Sequence, residues 1–114
     1  MTTDCLFCNM AAGAVPVDKL RDDELVFAIR DIGPRAPVHV LIVPKEHIAS
    51  ARDLTAAHDA LLAHIFRSAN ALAGELGVAE EGYRLTFNVG ENGGQTIQHL
   101  HLHLLGGRHL GPEG

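Results

Sequence analysis

The stretch His99-Leu100-His101-Leu102-His103-Leu104-Leu105 alternates imidazole and aliphatic side chains with period two. On a strand, that period puts the three imidazoles on one face and packs the leucines into a core on the other. Alternate strand residues lie about 6.6 Å apart, so His99 and His103 are separated by roughly 13 Å at the backbone, too far for all three rings to reach one metal bonded at about 2 Å. The spacing argues against a three-histidine metal centre. It favours a nucleophile in the middle of the row, flanked by groups that fix its tautomer and share its proton traffic. A solvated strand face would need only one or two histidines among lysines, threonines and glutamates.

Just upstream, Asn88, Gly90, Gly93, Gly94, Gln95 and Thr96 form a loop whose glycines let backbone N–H groups approach anionic oxygens closely, as a phosphate cradle requires. The loop lacks the G-x-x-x-x-G-K-[ST] spacing of a nucleotide-triphosphatase, and by its composition alone it is an ordinary turn. Tyr83 to Val89 and His99 to Leu105 read as the strands on either side.

Further out, Cys5 to Ala14 predicts a short helix that Gly13 and Pro16 end. Lys19 to Arg21 is weakly strand-like, Asp22-Asp23-Glu24 reads as a turn, and Leu25 to Ile29 as a buried strand. A loop with two prolines and a glycine, Asp31 to Pro37, leads to the strand Val38 to Val43, ended by Pro44. Thr55 caps a long helix to about Leu76, with apolar residues at 61, 62, 65, 66, 69, 72, 73 and 76 and Gly77 beyond the last turn. Helices and strands do not alternate strictly, which predicts an α+β fold: a largely antiparallel sheet with one long and one short helix. Residues 1–114 fit one domain with a single modest core, without repeats or linkers.

The formal net charge of −5 excludes the clustered lysines and arginines that grip a nucleic-acid backbone. No stretch has the length and apolarity of a signal peptide or a membrane span, so a cytoplasmic protein with no membrane partner is expected. The only cysteines, Cys5 and Cys8, are three positions apart, a spacing that suits metal-capable thiols in a reducing compartment better than a disulfide framework. Eight histidines stand out, where an average chain of this length carries about two or three. His58 and His64, on the long helix, and His109, near the end, read as solvated and incidental.

The motif H-L-H-L-H-L-L preceded by N-V-G-E-N-G-G-Q-T resembles the histidine triad family, whose signature is His-φ-His-φ-His-φ-φ with φ apolar. The resemblance also takes in Cys5-Leu6-Phe7-Cys8, Arg30-Asp31-Ile32 before Pro34-Arg35-Ala36-Pro37, Val38 to His47, and Leu105-Gly106-Gly107-Arg108. The Gly-Gly-Arg ending is similar to the nucleotide-binding Hint branch rather than the dinucleoside triphosphate hydrolase branch.

The resemblance implies that His101 attacks an α-phosphorus, with His99, His39 and His103 in the surrounding hydrogen-bond relay and Thr96 near the leaving group. Relatives usually have serine at this position; threonine keeps the hydroxyl but its methyl group restricts the rotamer. Asp31 would accept hydrogen bonds from ribose hydroxyls, Asn88, Gly94 and Gln95 would contact phosphate and nucleotide, and Phe7, Ile29 and Ile32 would line the base pocket. The implied chemistry is double displacement at a purine nucleoside phosphoramidate of aminoacyl or lysyl adenylate type, through a nucleotidyl-histidine. Catalysis would need no metal, because loop dipoles and protonated histidines would offset phosphoryl charge where a kinase uses magnesium. An alternative is hydrolysis of dinucleoside polyphosphates or other adenylyl compounds. An alternative of another class is a nucleotide-binding interaction module with vestigial activity, against which the retention of all three triad histidines and His39 weighs.

The resemblance further implies a homodimer, its sheets joined across a two-fold axis and its long helices packed together. Relatives that begin Cys-φ-Phe-Cys hold a structural zinc, which here would be bound by Cys5, Cys8, His47 and His99. The alternative is two reduced thiols packed beneath the sheet.

Overall fold

The computed structural model describes residues 3–113. Met1, Thr2 and Gly114, which belong to the predicted 1–114 domain and, for the first two, to the stretch read as lacking a signal peptide, lie outside the described residues. The elements in chain order are α1 (Leu6–Ala11), β1 (Arg21–Asp22), β2 (Val26–Arg30), β3 (Val38–Pro44), α2 (Asp59–Glu75), β4 (Tyr83–Thr86) and β5 (Leu102–Gly106). Two short 3-10 turns, Ala51–Asp53 and Ala56–His58, lead into α2. The strands form one antiparallel sheet in the order β1-β2-β3-β5-β4, as the α+β reading expects. No described helix is long and apolar enough to cross a membrane.

The period-two pattern of the histidine stretch sorts the two faces of this sheet. Leu100, Leu102 and Leu104 join Val40, Ile42, Ile65, Ala69 and Leu72 in a core between the sheet and α2. The opposite face carries Phe27, Ile29, Leu41 and Val43, covered in part by Phe7 of α1. Full burial of an aliphatic side chain stabilises by about 1.5–3 kcal/mol, so the leucine half of the motif is as important to folding as the histidine half is to chemistry.

Several boundaries differ from those read in the sequence. β5 begins at Leu102, so His99 and His101 precede the ladder; their alternation in facing persists because Leu100 is anchored in the core between them. β4 ends at Thr86, where the chain turns into the glycine loop, and not at Val89. Asp22 pairs with Phe27 as a strand residue instead of opening the turn. Pro44 does not end β3 from outside: it is the last residue of β3 and pairs with Val26.

Thr55 caps the 3-10 turn rather than α2 itself. Its Oγ1 accepts from Ala57 N at 3.3 Å, while its own N–H donates to His58 Nδ1 at 3.0 Å. His58 is therefore a capping partner, with Nε2 3.3 Å from Glu46 Oε2, and His64 Nε2 lies 2.9 Å from Asp23 Oδ2. Both were expected to be merely solvated. They are half-buried because α2 lies close enough to the sheet loops for carboxylates to reach them.

Candidate active site and metal cluster

The triad histidines are held by backbone carbonyls and by one another, and these contacts fix their tautomers. His101 Nδ1 lies 2.7 Å from the His99 carbonyl oxygen, which can only accept, so the proton sits on Nδ1 and Nε2 keeps its lone pair. His99 Nε2 is 2.8 Å from the Pro44 carbonyl oxygen, so its proton is on Nε2 and Nδ1 is left to accept or to bind a metal. The backbone N–H of Arg35 donates to His39 Nδ1 at 3.2 Å, which places the His39 proton on Nε2, 2.9 Å from His103 Nδ1. His103 is thereby left with its proton on Nε2.

All four of these rings are buried, His99 completely. Phe7 lies edge-on to His99 and His101, with ring centroids 5.7 and 5.2 Å away, and His101 and His103 stack edge-on at 5.0 Å. Burial pushes His39 below the usual imidazole range, with the Arg35 charge adding to the effect and Asp31, 3.5 Å from Nε2, opposing it. Burial, followed by the charges of His101, His39 and Arg35, pushes His103 down to about 4. The expectation of protonated histidines beside the phosphoryl group is thus corrected for His39 and His103. Both favour the neutral N–H form, because burial penalises the charged imidazolium.

A cavity of about 510 Å³ opens over the sheet, lined among others by Asp31, Arg35, Asn88, Thr96, His101 and His103. The glycine loop forms one wall. Asn88 Nδ2 donates to the Gly93 carbonyl at 2.8 Å and ties the loop to the end of β4. At Gly93 a Cβ would lie 2.3 Å from the Val89 carbonyl oxygen, and Gly94 has φ +82°, so the turn excludes side chains at both positions. Asp31 Oδ1 accepts from Gly33 N at 2.8 Å, an Asx turn that aims the other carboxylate oxygen at His39.

Four of the residues expected to contact nucleotide, Gln95, Phe7, Ile29 and Ile32, do not border this cavity. The Gln95 amide is consumed by the backbone: Oε1 accepts from Gly90 N at 3.0 Å and Nε2 donates to Ala49 O at 2.7 Å and Ile97 O at 3.0 Å. It braces the loop. Phe7 and Ile29 are buried in the core beneath the site rather than lining the cavity. Ile32 is fully exposed and does not line the cavity either. Leu41 and Ile97 supply its apolar lining, and Gly33, Arg35 and Gly93 also border it. Sequence reasoning gave Leu41, Ile97, Gly33 and Arg35 no role, whereas Gly93 belongs to the loop read as a phosphate cradle. Arg35 lay inside a quoted segment, but only the fold of the Asp31 to Pro37 loop brings it to the triad.

On the far side of His99, Cys5, Cys8, His47 and His99 converge, with one potential ligand atom from each lying within 4.8 Å of every other. His99 Nδ1 is 3.2 Å from Cys5 Sγ, 3.5 Å from Cys8 Sγ and 3.1 Å from His47 Nδ1, and Cys8 Sγ is 3.3 Å from His47 Nδ1. A tetrahedral Cys₂His₂ zinc site requires ligand separations of about 3.4–3.8 Å, so the four groups fit such an ion after movements of a few tenths of an ångström. The Pro44 carbonyl bonded to His99 Nε2 is the outer partner that a metal-bound imidazole needs. Burial and the neighbouring Cys5 push the Cys8 thiol up to about 11, a cost that a dication between the sulfurs would reverse. His99 thus serves two functions through different atoms: its ring faces this cluster and its carbonyl orients His101.

A five-stranded antiparallel sheet with a tautomer-fixed histidine row beside a glycine loop defines a histidine triad protein. The chain belongs to the HIT family: residues 12–110 match the HIT domain. Among relatives, it is 42% identical to the purine nucleoside phosphoramidase of Escherichia coli K12 over 112 residues, covering 98% of this chain and 94% of that one. It is 46% identical to an uncharacterized HIT-like protein of Synechococcus elongatus, over 96% of each chain. The crystal structure of a HIT family hydrolase from Legionella pneumophila superposes with a TM-score of 0.95 at 48% identity, covering 97% of this chain and 100% of the other. The chain is a hydrolase of this family.

Proposed function

We propose that the protein hydrolyses purine nucleoside phosphoramidates, with His101 Nε2 as the nucleophile. One observation carries the reading: the bond from His101 Nδ1 to the His99 carbonyl leaves Nε2 unprotonated on a ring that lines the cavity. Nε2 forms a bond to the α-phosphorus as the P–N bond to the amine breaks, and the departing nitrogen takes a proton from water. A second water then attacks the nucleotidyl-histidine, releasing the nucleoside monophosphate, a proton and the free imidazole. Loop N–H groups and the His103 Nε2–H offset the phosphoryl charge, and Thr96 borders the leaving group. Asp31 accepts from the ribose hydroxyls, and Asn88 and Gly94 border the phosphate. The 42% identity to a purine nucleoside phosphoramidase supports the substrate class.

The chain acts as one domain, 1–114, in the cytoplasm, where its two free thiols stay reduced. Structural zinc occupies the Cys5, Cys8, His47 and His99 cluster, tying α1 to the segment that carries His101. The protein is a homodimer, supported by the uncovered apolar side of α2 at Phe66 and by β4, an edge strand that pairs with β5 on one side and with no described strand on the other. Rapid quench with an adenosine phosphoramidate, followed by the intact mass of the His101-containing peptide, tests the mechanism: a nucleotidyl adduct is expected. Turnover confined to dinucleoside polyphosphates would replace the substrate class.

A further inference from the structure

Beyond His103, on the side away from β3, a second cavity of about 250 Å³ shares Arg35, Asn88 and His103 with the first and adds Arg84, Thr86 and Glu113. The sheet order explains its place. Thr86 pairs with His103 and Arg84 with Leu105, so both β4 side chains emerge on the histidine face next to the triad. Asp31 and His39 stand on the opposite side of β5, at the end of β2 and on β3. A nucleotide whose ribose meets Asp31 and whose phosphorus meets His101 therefore has the second cavity next to it, across His103, within reach of an extended leaving group.

Two guanidinium groups wait there. Arg35 is fixed through its backbone, donating to His39 Nδ1 at 3.2 Å and accepting at its carbonyl from Arg108 Nη2 at 2.8 Å. Arg84 Nη2 donates to the Gly111 carbonyl at 2.5 Å and lies 3.5 Å from Glu113 Oε1. Glu113 supplies the only carboxylate among the described lining residues, and its side chain is 82% exposed, so it is easily displaced. We propose that the Arg35 and Arg84 cavity is a subsite for a carboxylate on the leaving group, with Glu113 occupying Arg84 until such a substrate arrives. The assignment rests on the phosphoramidase reading above, and it selects amines that carry a free carboxylate, such as amino acids joined through nitrogen, over neutral amines.

The test compares kcat/KM for two adenosine phosphoramidates, one carrying aspartate through its nitrogen and the other the corresponding diamide. The wild type is expected to prefer the acid at least about fivefold, the effect of one or two partly exposed charge pairs. Arg84→Gln should cut the ratio of the two kcat/KM values several-fold, Arg84→Lys should restore most of it, and Glu113→Gln should raise it. A fold-stabilising role for Arg84 would move both substrates together and leave the ratio unchanged. An unchanged ratio in Arg84→Gln, or a lower one in Glu113→Gln, overturns the subsite while leaving the hydrolase reading in place. Wild-type protein inert towards both compounds overturns the two together.

Discussion

The ring of His101 is oriented by the backbone of His99, through an Nδ1–H that donates to that carbonyl at 2.7 Å, while the ring of His99 turns towards two cysteines and a third histidine. The His101 ring and the Cys5, Cys8, His47 and His99 cluster thus meet at His99 through different atoms of that residue.

Loss of the imidazole at this position should remove chemistry and spare binding. His101→Ala is expected to retain less than a few per cent of wild-type turnover, while its affinity for nucleoside monophosphate, read by calorimetry, stays within about threefold, because the ribose and loop contacts proposed above involve other residues. Substantial turnover in this variant would place the nucleophile on another residue.

His103 should titrate well below the usual imidazole range, with His39 also lowered by burial. With a pKa of about 4 in the folded chain and about 6.5 unfolded, His103 takes up its proton more readily when unfolded. Its contribution therefore leaves stability unaffected above about pH 6.5 and removes stability as the pH falls from there towards about 4. Urea unfolding at pH 7 and pH 4.5 should show an acid loss of about 2–3 kcal/mol from this residue, missing in His103→Gln. Equal acid losses in the two proteins, or an NMR titration of His103 near 6.5, would contradict the buried neutral pair.

Protein purified without chelator should carry close to one zinc per chain by elemental analysis. Cys5→Ser should lower the metal content and reduce Tm by about 5 °C or more, since a structural metal contributes directly to folding. Metal-free protein whose Tm is unchanged in that variant would leave the thiols as packing residues.

Light scattering at micromolar concentration should report about twice the 12.2 kDa chain mass. Phe66 is 37% exposed on α2 and packs edge-on against Phe87 at 6.0 Å, an apolar pair at the surface that a second copy would cover. Phe66→Glu is expected to shift the protein towards monomer. A monomeric wild type would remove this assembly.

Period-two alternation alone determined that the leucines at 100, 102 and 104 face a core and the histidines face away, because pleated backbone sends successive side chains to opposite sides. The main strands and the long helix were legible for the same reason: their periods and their glycine and proline boundaries are local properties of the chain. Strand spacing also argued against one metal held by all three rings, and the resemblance named His39, Asp31, Cys5, Cys8 and His47 before any of them could be placed. Local pattern could not reveal what distant segments bring together. The protonation states of His39 and His103 depend on burial and on the Arg35 backbone, set by the fold of a proline loop. Gln95 turned out to be a brace and Phe7 a floor because their partners, Ala49 in one case and Phe27, His99 and His101 in the other, come from other parts of the chain. The strand order that sets β4 on the far side of β5 from Asp31 and His39, and with it the two arginines beside the triad, exists only in the tertiary structure, because hydrogen bonds between strands distant in sequence decide which side chains share a cavity.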